Sequence, residues 1–369
     1  MTRNTRTFLI LCCLLTLAGR AAFTSSKAEF RGGWVTAWNK GFLTPQEADA
    51  TISAAKRAGI NALFIQARKV GDAYYESATE PRGDNLAPGY DPLAYLVEKA
   101  HAQGIQVHAW VNVCRIWRSK TPPADPNHVV NLHPDWLVKD INGTTWASDG
   151  VFLDPGVPAA REYVASVIEE IACRYAVDGI HLDYIRYPGK NWGYSETALN
   201  RFYADTGASS KPDPESTQWM RWRRDQVTDM LRLIRGKVLA VRPHAVISAA
   251  TIAWGGCPSD FNASYACKLA NQDWRTWMAQ GLLDANIPMD YKSETSSTAA
   301  AQFRGWLGGF KKWGAGKPTY VGVDIHSNST KSIMKQISAI RKARLGGFVL
   351  FSFNDTPLRD AIVDALAGK

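Results

Sequence analysis

Eight short runs rich in branched and aromatic residues are each followed by a longer run with helical periodicity. The strand candidates are Gly33–Trp38, Asn61–Arg68, Gln106–Asn112, Gly179–Tyr184, Ala245–Thr251, Ala285–Asp290, Thr319–Asp324 and Gly347–Phe353. The helical patterns cover about 45–58, 91–103, 157–175, 216–241, 268–281, 299–313, 330–344 and 357–367. Thr44-Pro45, Asp91-Pro92 and Pro155–Pro158 supply helix starts, and Gly59, Gly104 and Gly346 stand where helices would stop. This alternation predicts an α/β fold, a single (β/α)8 barrel. A doubly wound open sheet is the competing topology. It needs a glycine-rich phosphate turn after the first strand, and Thr36-Ala37-Trp38-Asn39 supplies none. The longest insertions follow strands three (113–156), four (185–215) and five (252–267), so all would build the same C-terminal rim.

The first 28 residues read as a leader to be removed, which leaves 29–369 as one barrel domain. Arg3 and Arg6 precede an apolar run from Phe8 to Ala18, and Ser26-Lys27-Ala28 offers small residues before a cut. The run is too short for a membrane span, although an uncleaved anchor is the alternative. Leu11 is too bulky before Cys12 for a good lipidation signal. Export to the periplasm, cell envelope or medium is therefore expected. The leader holds four basic residues and no acid, so the net charge falls from +9 for the whole chain to +5. The remaining basic residues are scattered, which argues against a nucleic-acid surface. Cys257 and Cys267 share one loop and are candidates for a disulfide in an exported protein. No Cys/His spacing indicates zinc; no metal, no cofactor and a monomer are expected.

Active sites of such barrels lie where the strands end. With period two, strand two presents Gln66 and Arg68 on one parity, strand three His108, Trp110 and Asn112, and strand four His181 and Asp183. Strand six ends in Asp290 and Tyr291, strand seven in Asp324, strand one leads to Trp38 and strand five to Trp254. A structural barrel would fill such inward positions with branched apolar residues, because polar groups there are costly unless paired or used. Individually, His181 reads as a support below the site, and Arg68 has an alternative role in neutralising a carboxylate.

Taken together, the set suits carbohydrate chemistry. Glycoside hydrolysis needs two carboxyl groups about the anomeric carbon, with aromatic faces and polar donors around the sugar. Asp183 is the leading carboxylate and Asp290 its expected partner, on the reading that both share parity and height; Asp324 and Glu294 are alternatives. Trp38, Trp110, Tyr184, Arg186, Tyr187, Trp254 and Tyr291, with Gln66, Arg68, His108 and Asn112, are the expected substrate contacts. A metal-dependent hydrolase would want a His-x-His on strand one, and Gly33–Trp38 has none.

Several segments resemble the glycosyl hydrolase-like 10 family of exported bacterial barrels. They include Arg31-Gly32-Gly33-Trp34-Val35, Phe64-Ile65-Gln66-Ala67-Arg68, His108-Ala109-Trp110-Val111-Asn112, Asp178–Pro188 and Ile287-Pro288-Met289-Asp290-Tyr291. The resemblance spans about 31–325. It implies a TIM barrel, glycoside hydrolase activity, bacterial cell-wall glycans as a plausible substrate, and Asp183 as the strand-four carboxylate. The family's Gln-Val-Arg-Pro reads Gln66-Ala67-Arg68-Lys69 here, so Lys69 is expected to alter a subsite. Strand five carries no acid, unlike amylase-like barrels, and Ile185 stands where chitinase-like barrels place a Glu. The second carboxylate is therefore not fixed by analogy. A glycan-binding barrel without catalysis is the competing function.

Overall fold

The computed structural model describes residues 29–368. The leader reading of 1–28 lies outside the described residues. Eight parallel strands close a barrel: β1 (Phe30–Val35), β2 (Ala62–Arg68), β3 (Gln106–Asn112), β4 (Gly179–Asp183), β5 (Val246–Ile252), β6 (Ala285–Met289), β7 (Tyr320–Asp324) and β8 (Gly347–Phe351). Each strand pairs with its chain neighbours, and β1 closes on β8 with Phe30 opposite Gly347 and Trp34 opposite Phe351. The expected (β/α)8 barrel is the observed fold.

The helices begin where local chemistry dictates. In Pro45–Ala58, the Thr44 hydroxyl accepts from the Glu47 amide, and Gly59 ends the helix at φ 64°. Asp91 caps Pro92–His101 by accepting from the Leu93 and Ala94 amides. The β4 connection holds two helices, Glu196–Thr206 and Thr217–Val241, and the β3 connection carries a short antiparallel pair, Arg115–Trp117 with Val151–Phe152. This pair folds over the C-terminal mouth and delivers Arg115 to it.

Alternation along the strands creates two cores. Leu63, Ile65, Val107, Ala109, Ile180, Leu182, Val321 and Val323 face the helices. Phe30, Trp34, Phe64, Trp110, Ala250, Ile287 and Val349 fill the barrel. The interior is unusually aromatic, so adjoining strands carry glycine. A Cβ on Gly179 would lie 2.4 Å from His108 Nδ1, and one on Gly322 2.9 Å from the Trp34 ring. Cys257 and Cys267 are free thiols, so the candidate disulfide is not formed. No helix among the described residues is long and apolar enough to cross a membrane.

Candidate active site

A cavity of about 270 Å³ opens where the strands end. Its floor is the Trp34 indole. The Trp34 N–H donates to His181 Nε2 at 2.9 Å, and His181 Nδ1 lies 2.9 Å from the Ser248 hydroxyl. Burial pushes the His181 pKa well below its usual value, so the ring stays neutral and serves as the predicted support. His108 lies in the barrel interior against Phe64, with ring centroids 4.8 Å apart, and burial holds its pKa at about 4. It does not line the cavity.

Asp183 ends β4 inside this cavity and is 7% exposed. Trp110 Nε1 donates to Oδ2 at 3.2 Å and the Tyr184 amide to Oδ1 at 2.7 Å. Tyr184 makes the second bond from a left-handed backbone, φ 50°, a conformation costly for a bulky residue and concentrated at functional sites. Burial raises the Asp183 pKa; the Tyr184 amide, Arg186, Trp110 and Arg115 only partly offset it. A raised carboxyl pKa is the direction that a general acid requires.

Gln66, Trp110, Asn112, Tyr184, Arg186, Trp38, Trp254 and Tyr291 line the same cavity. Gln66 accepts from the Ala37 amide at 2.9 Å, and Asn112 Nδ2 donates to the Lys69 carbonyl at 2.5 Å. Trp38 and Trp254 are 38% and 39% exposed, available aromatic surface at the mouth. Lys69 sits 4.6 Å and Arg118 4.8 Å from the Trp38 ring. Tyr291 stacks on Phe351 at 5.2 Å, and burial raises its pKa well above 10, helped by Asp183 and Asp324.

Besides His108, an expected substrate contact, four expectations are corrected by the geometry. Asp290 lies outside the cavity: on β6 it is Ala285, Ile287, Met289 and then Tyr291 that face inward, so Asp290 has the opposite parity to Asp183. Its carboxylate is buried against Lys292, with Nζ 3.3 Å from Oδ1, and burial pushes its pKa up to about 8 despite that cation. Glu294 is also turned away, into ion pairs with Arg304 at 3.0 Å and Lys335 at 3.1 Å. Arg68 is swung outward because the β2–β3 register shifts between Gln66 and Arg68, and it meets Glu80 at 2.7 Å. Tyr187 is fully buried in the β4 loop, its hydroxyl donating to Asp154 at 3.0 Å. Asp324 keeps the inward parity at the end of β7, where it accepts from the His326 amide and the Ser327 hydroxyl. It borders the site without lining the cavity.

Trp34, Thr36, Arg115, Met289 and Phe351 also line the cavity and were not anticipated. Trp34 and Phe351 were legible as inward residues once the β1 and β8 registers are known. Arg115 arrives from the hairpin in the β3 loop, which strand periodicity does not forecast. A larger cavity, about 1020 Å³, opens at the opposite end of the barrel. Its carboxylate, Asp178, is engaged by His101 at 2.8 Å and the Val107 amide at 2.7 Å. Barrel chemistry belongs at the strand C-termini, so size does not decide the site. Among the described residues no group of three His, Cys, Asp or Glu could hold a metal ion.

Fold and site define a (β/α)8 barrel with one buried carboxylate in an aromatic pocket at its C-terminal mouth. The chain belongs to the glycosyl hydrolase-like 10 family, whose sequence profile matches residues 29–339. It is 28% identical over 306 residues to glycosyl hydrolase YngK of Bacillus subtilis (strain 168), covering 76% of this chain and 57% of that protein. It is 29% identical over 270 residues to glycosyl hydrolase DigH of Escherichia coli (strain K12), covering 66% and 57%. The chain thus spans somewhat over half the length of these relatives. Among solved structures, the PgaB (BpsB) glycoside hydrolase domain from Bordetella bronchiseptica superposes with a TM-score of 0.70 at 15% identity, covering 93% of this chain and 100% of that one. Alpha-L-fucosidase isoenzyme 2 from Paenibacillus thiaminolyticus gives 0.67 at 14% identity, covering 92% and 49%. At such identities these two likenesses concern the fold.

Proposed function

We propose that this protein is a glycoside hydrolase in which Asp183 is the catalytic carboxylate. The observation that carries the proposal is the placement of Asp183: buried, oriented by the Trp110 and Tyr184 N–H groups, and facing an aromatic-lined cavity. Its raised pKa suits a group that protonates the leaving oxygen. Asp324 is the proposed second carboxylate, because Asp290 and Glu294 are committed to Lys292, Arg304 and Lys335. Tyr291 lies in the electric field of both Asp183 and Asp324, which supports a substrate bound across it. A polysaccharide substrate, a cell-wall glycan among the candidates, and export under the direction of residues 1–28 complete the reading.

One observation favours a binder instead: the cavity lining includes one carboxylate, Asp183. Product release from a polysaccharide panel, including peptide-free peptidoglycan strands, decides between them. Products with wild type and none with Asp183→Asn support the hydrolase. Products with both remove Asp183 from the mechanism, and binding without products from either supports the non-catalytic barrel.

A further inference from the structure

Five arginines among the described residues are buried: Arg68, Arg115, Arg186, Arg223 and Arg359. Arg68, Arg186 and Arg359 face Glu80, Asp149 and Asp355, respectively. Arg223 donates to the carbonyls of Lys190, Trp192 and Pro214. Arg115 has no ion pair and no carbonyl acceptor; its guanidinium lies 4.8 Å from the Tyr184 ring, and Asp183 feels its charge from beyond ion-pair distance. Its hydrogen bond runs from Nη1 to the Tyr184 hydroxyl at 2.8 Å, and its Nε is buried without an acceptor. No carboxylate lies within ion-pair distance of it among the described residues. A guanidinium cannot shed its proton, so a buried one without a counter-charge is a standing cost to the fold. Arg115 is 8% exposed, and that exposure is to the cavity.

The surroundings add to this charge. Arg186 also lines the cavity and shares its own charge with Asp149, 3.1 Å away. At the mouth, Arg118 lies over the Trp38 ring without an ion pair among the described residues. Asp183 is the carboxylate within the lining, and it is occupied by the Trp110 and Tyr184 N–H groups. A counter-charge at ion-pair distance from Arg115 is therefore left for a ligand to bring.

We propose that the cavity receives a sugar bearing a carboxylate, and that Arg115 is the specificity-determining residue that binds it. The proposal rests on the glycan reading above and narrows it to acidic glycans. A carboxylate suits the planar donor edge of a guanidinium. It can hang directly from the ring, as in a uronic acid, or through an ether arm, and both present the same group to Arg115.

The test is calorimetric binding by wild type, Arg115→Met and Arg115→Lys. The ligands are oligogalacturonates, carboxymethyl-cellulose oligosaccharides, and the carboxyl-reduced or unsubstituted counterpart of each, with product release followed in the same samples. Wild type should bind at least one acidic series about thirty-fold or more tighter than its neutral counterpart. Whichever acidic series wins identifies how the carboxylate is attached. Arg115→Met should bind the acidic series no better than the neutral one, and Arg115→Lys should retain part of the preference. Because Arg115 has no ion-pair partner among the described residues and Met gives up one hydrogen bond, to the Tyr184 hydroxyl, Arg115→Met should melt close to wild type. Equal binding of acidic and neutral ligands by wild type overturns the proposal, whether or not the variants fold. So does a loss in Arg115→Met that is equal for both ligand types. Acid-selective binding without products would keep this proposal and remove the hydrolase reading. Hydrolysis of neutral glycans without acid preference would do the reverse.

Discussion

Replacing Glu80 by Gln should destabilise the barrel severely, although Glu80 touches nothing in the cavity. Arg68 Nε approaches both Glu80 oxygens, at 2.9 and 2.8 Å, and Nη2 reaches Oε1 at 2.7 Å. Both side chains are fully inaccessible. The Tyr163 hydroxyl donates to the same carboxylate at 3.0 Å, and Arg68 Nη1 donates to the carbonyls of Asn112 and Val113. Burial alone would lower the Arg68 pKa; the Glu80 charge overrides it and holds the guanidinium ionised. Glu80→Gln keeps the shape and removes the charge, which strands a buried cation. Breaking such a pair from one side costs about 3–5 kcal/mol, and the amide oxygen that Gln retains places the expectation near the lower limit, about 3 kcal/mol. The effect should reach the site, because Arg68 ties down the end of β3 that presents Asn112. Urea unfolding followed by tryptophan fluorescence, at fixed pH and salt, measures the change. The double variant Arg68→Met/Glu80→Leu should recover much of the loss, since it removes both charges together. A loss below about 1 kcal/mol for Glu80→Gln, or a double variant worse than the single one, would refute the reasoning.

Two further perturbations follow from the same structure. The Asp290 pKa is raised by burial from its ordinary value to about 8, so the folded state holds this proton more tightly than the unfolded chain does. Its stabilising contribution is complete below the unfolded value and is lost as pH rises towards 8. Asp290→Asn should therefore compare best with wild type below about pH 4, where both states hold the proton, and gain steadily on it as pH rises from there to about 8 in paired denaturation curves; a constant difference would contradict this. Trp34→Phe removes the donor to His181 and leaves Nε2 buried without its partner. About 1–3 kcal/mol of stability should be lost, and a change near zero would mean that water replaces the indole.

The architecture was legible because barrel strands and their helices impose period and spacing on the chain. His181 and Asp183 were placed correctly by parity, since β4 is regular and pairs without a shift with both neighbours. Arg68 was misplaced by the register shift after Gln66, which depends on the β3 partner and leaves no mark in β2 itself. Asp290 was misassigned for a different reason. Polarity does not mark the inward position on β6: Met289 and Tyr291 are the inward residues, and Asp290 is buried on the other face beside Lys292, its pKa raised to about 8 by that burial. Tyr187 looked like a sugar platform, but Asp154 receives its hydroxyl within the protein. Arg115 was missed because the hairpin that carries it has three residues on one side and two on the other, too few to register as strands.

The central claim is that Asp183 does chemistry at the barrel mouth. The measurement that tests it most directly is single-turnover hydrolysis of the first glycan found to bind, by wild type and by Asp183→Asn, with affinity measured alongside. Asp183→Asn should bind within about threefold of wild type while its rate falls by at least about a hundredfold, the scale of positioned acid–base catalysis. A rate preserved in Asp183→Asn would contradict the account, as would a loss that appears wholly in binding.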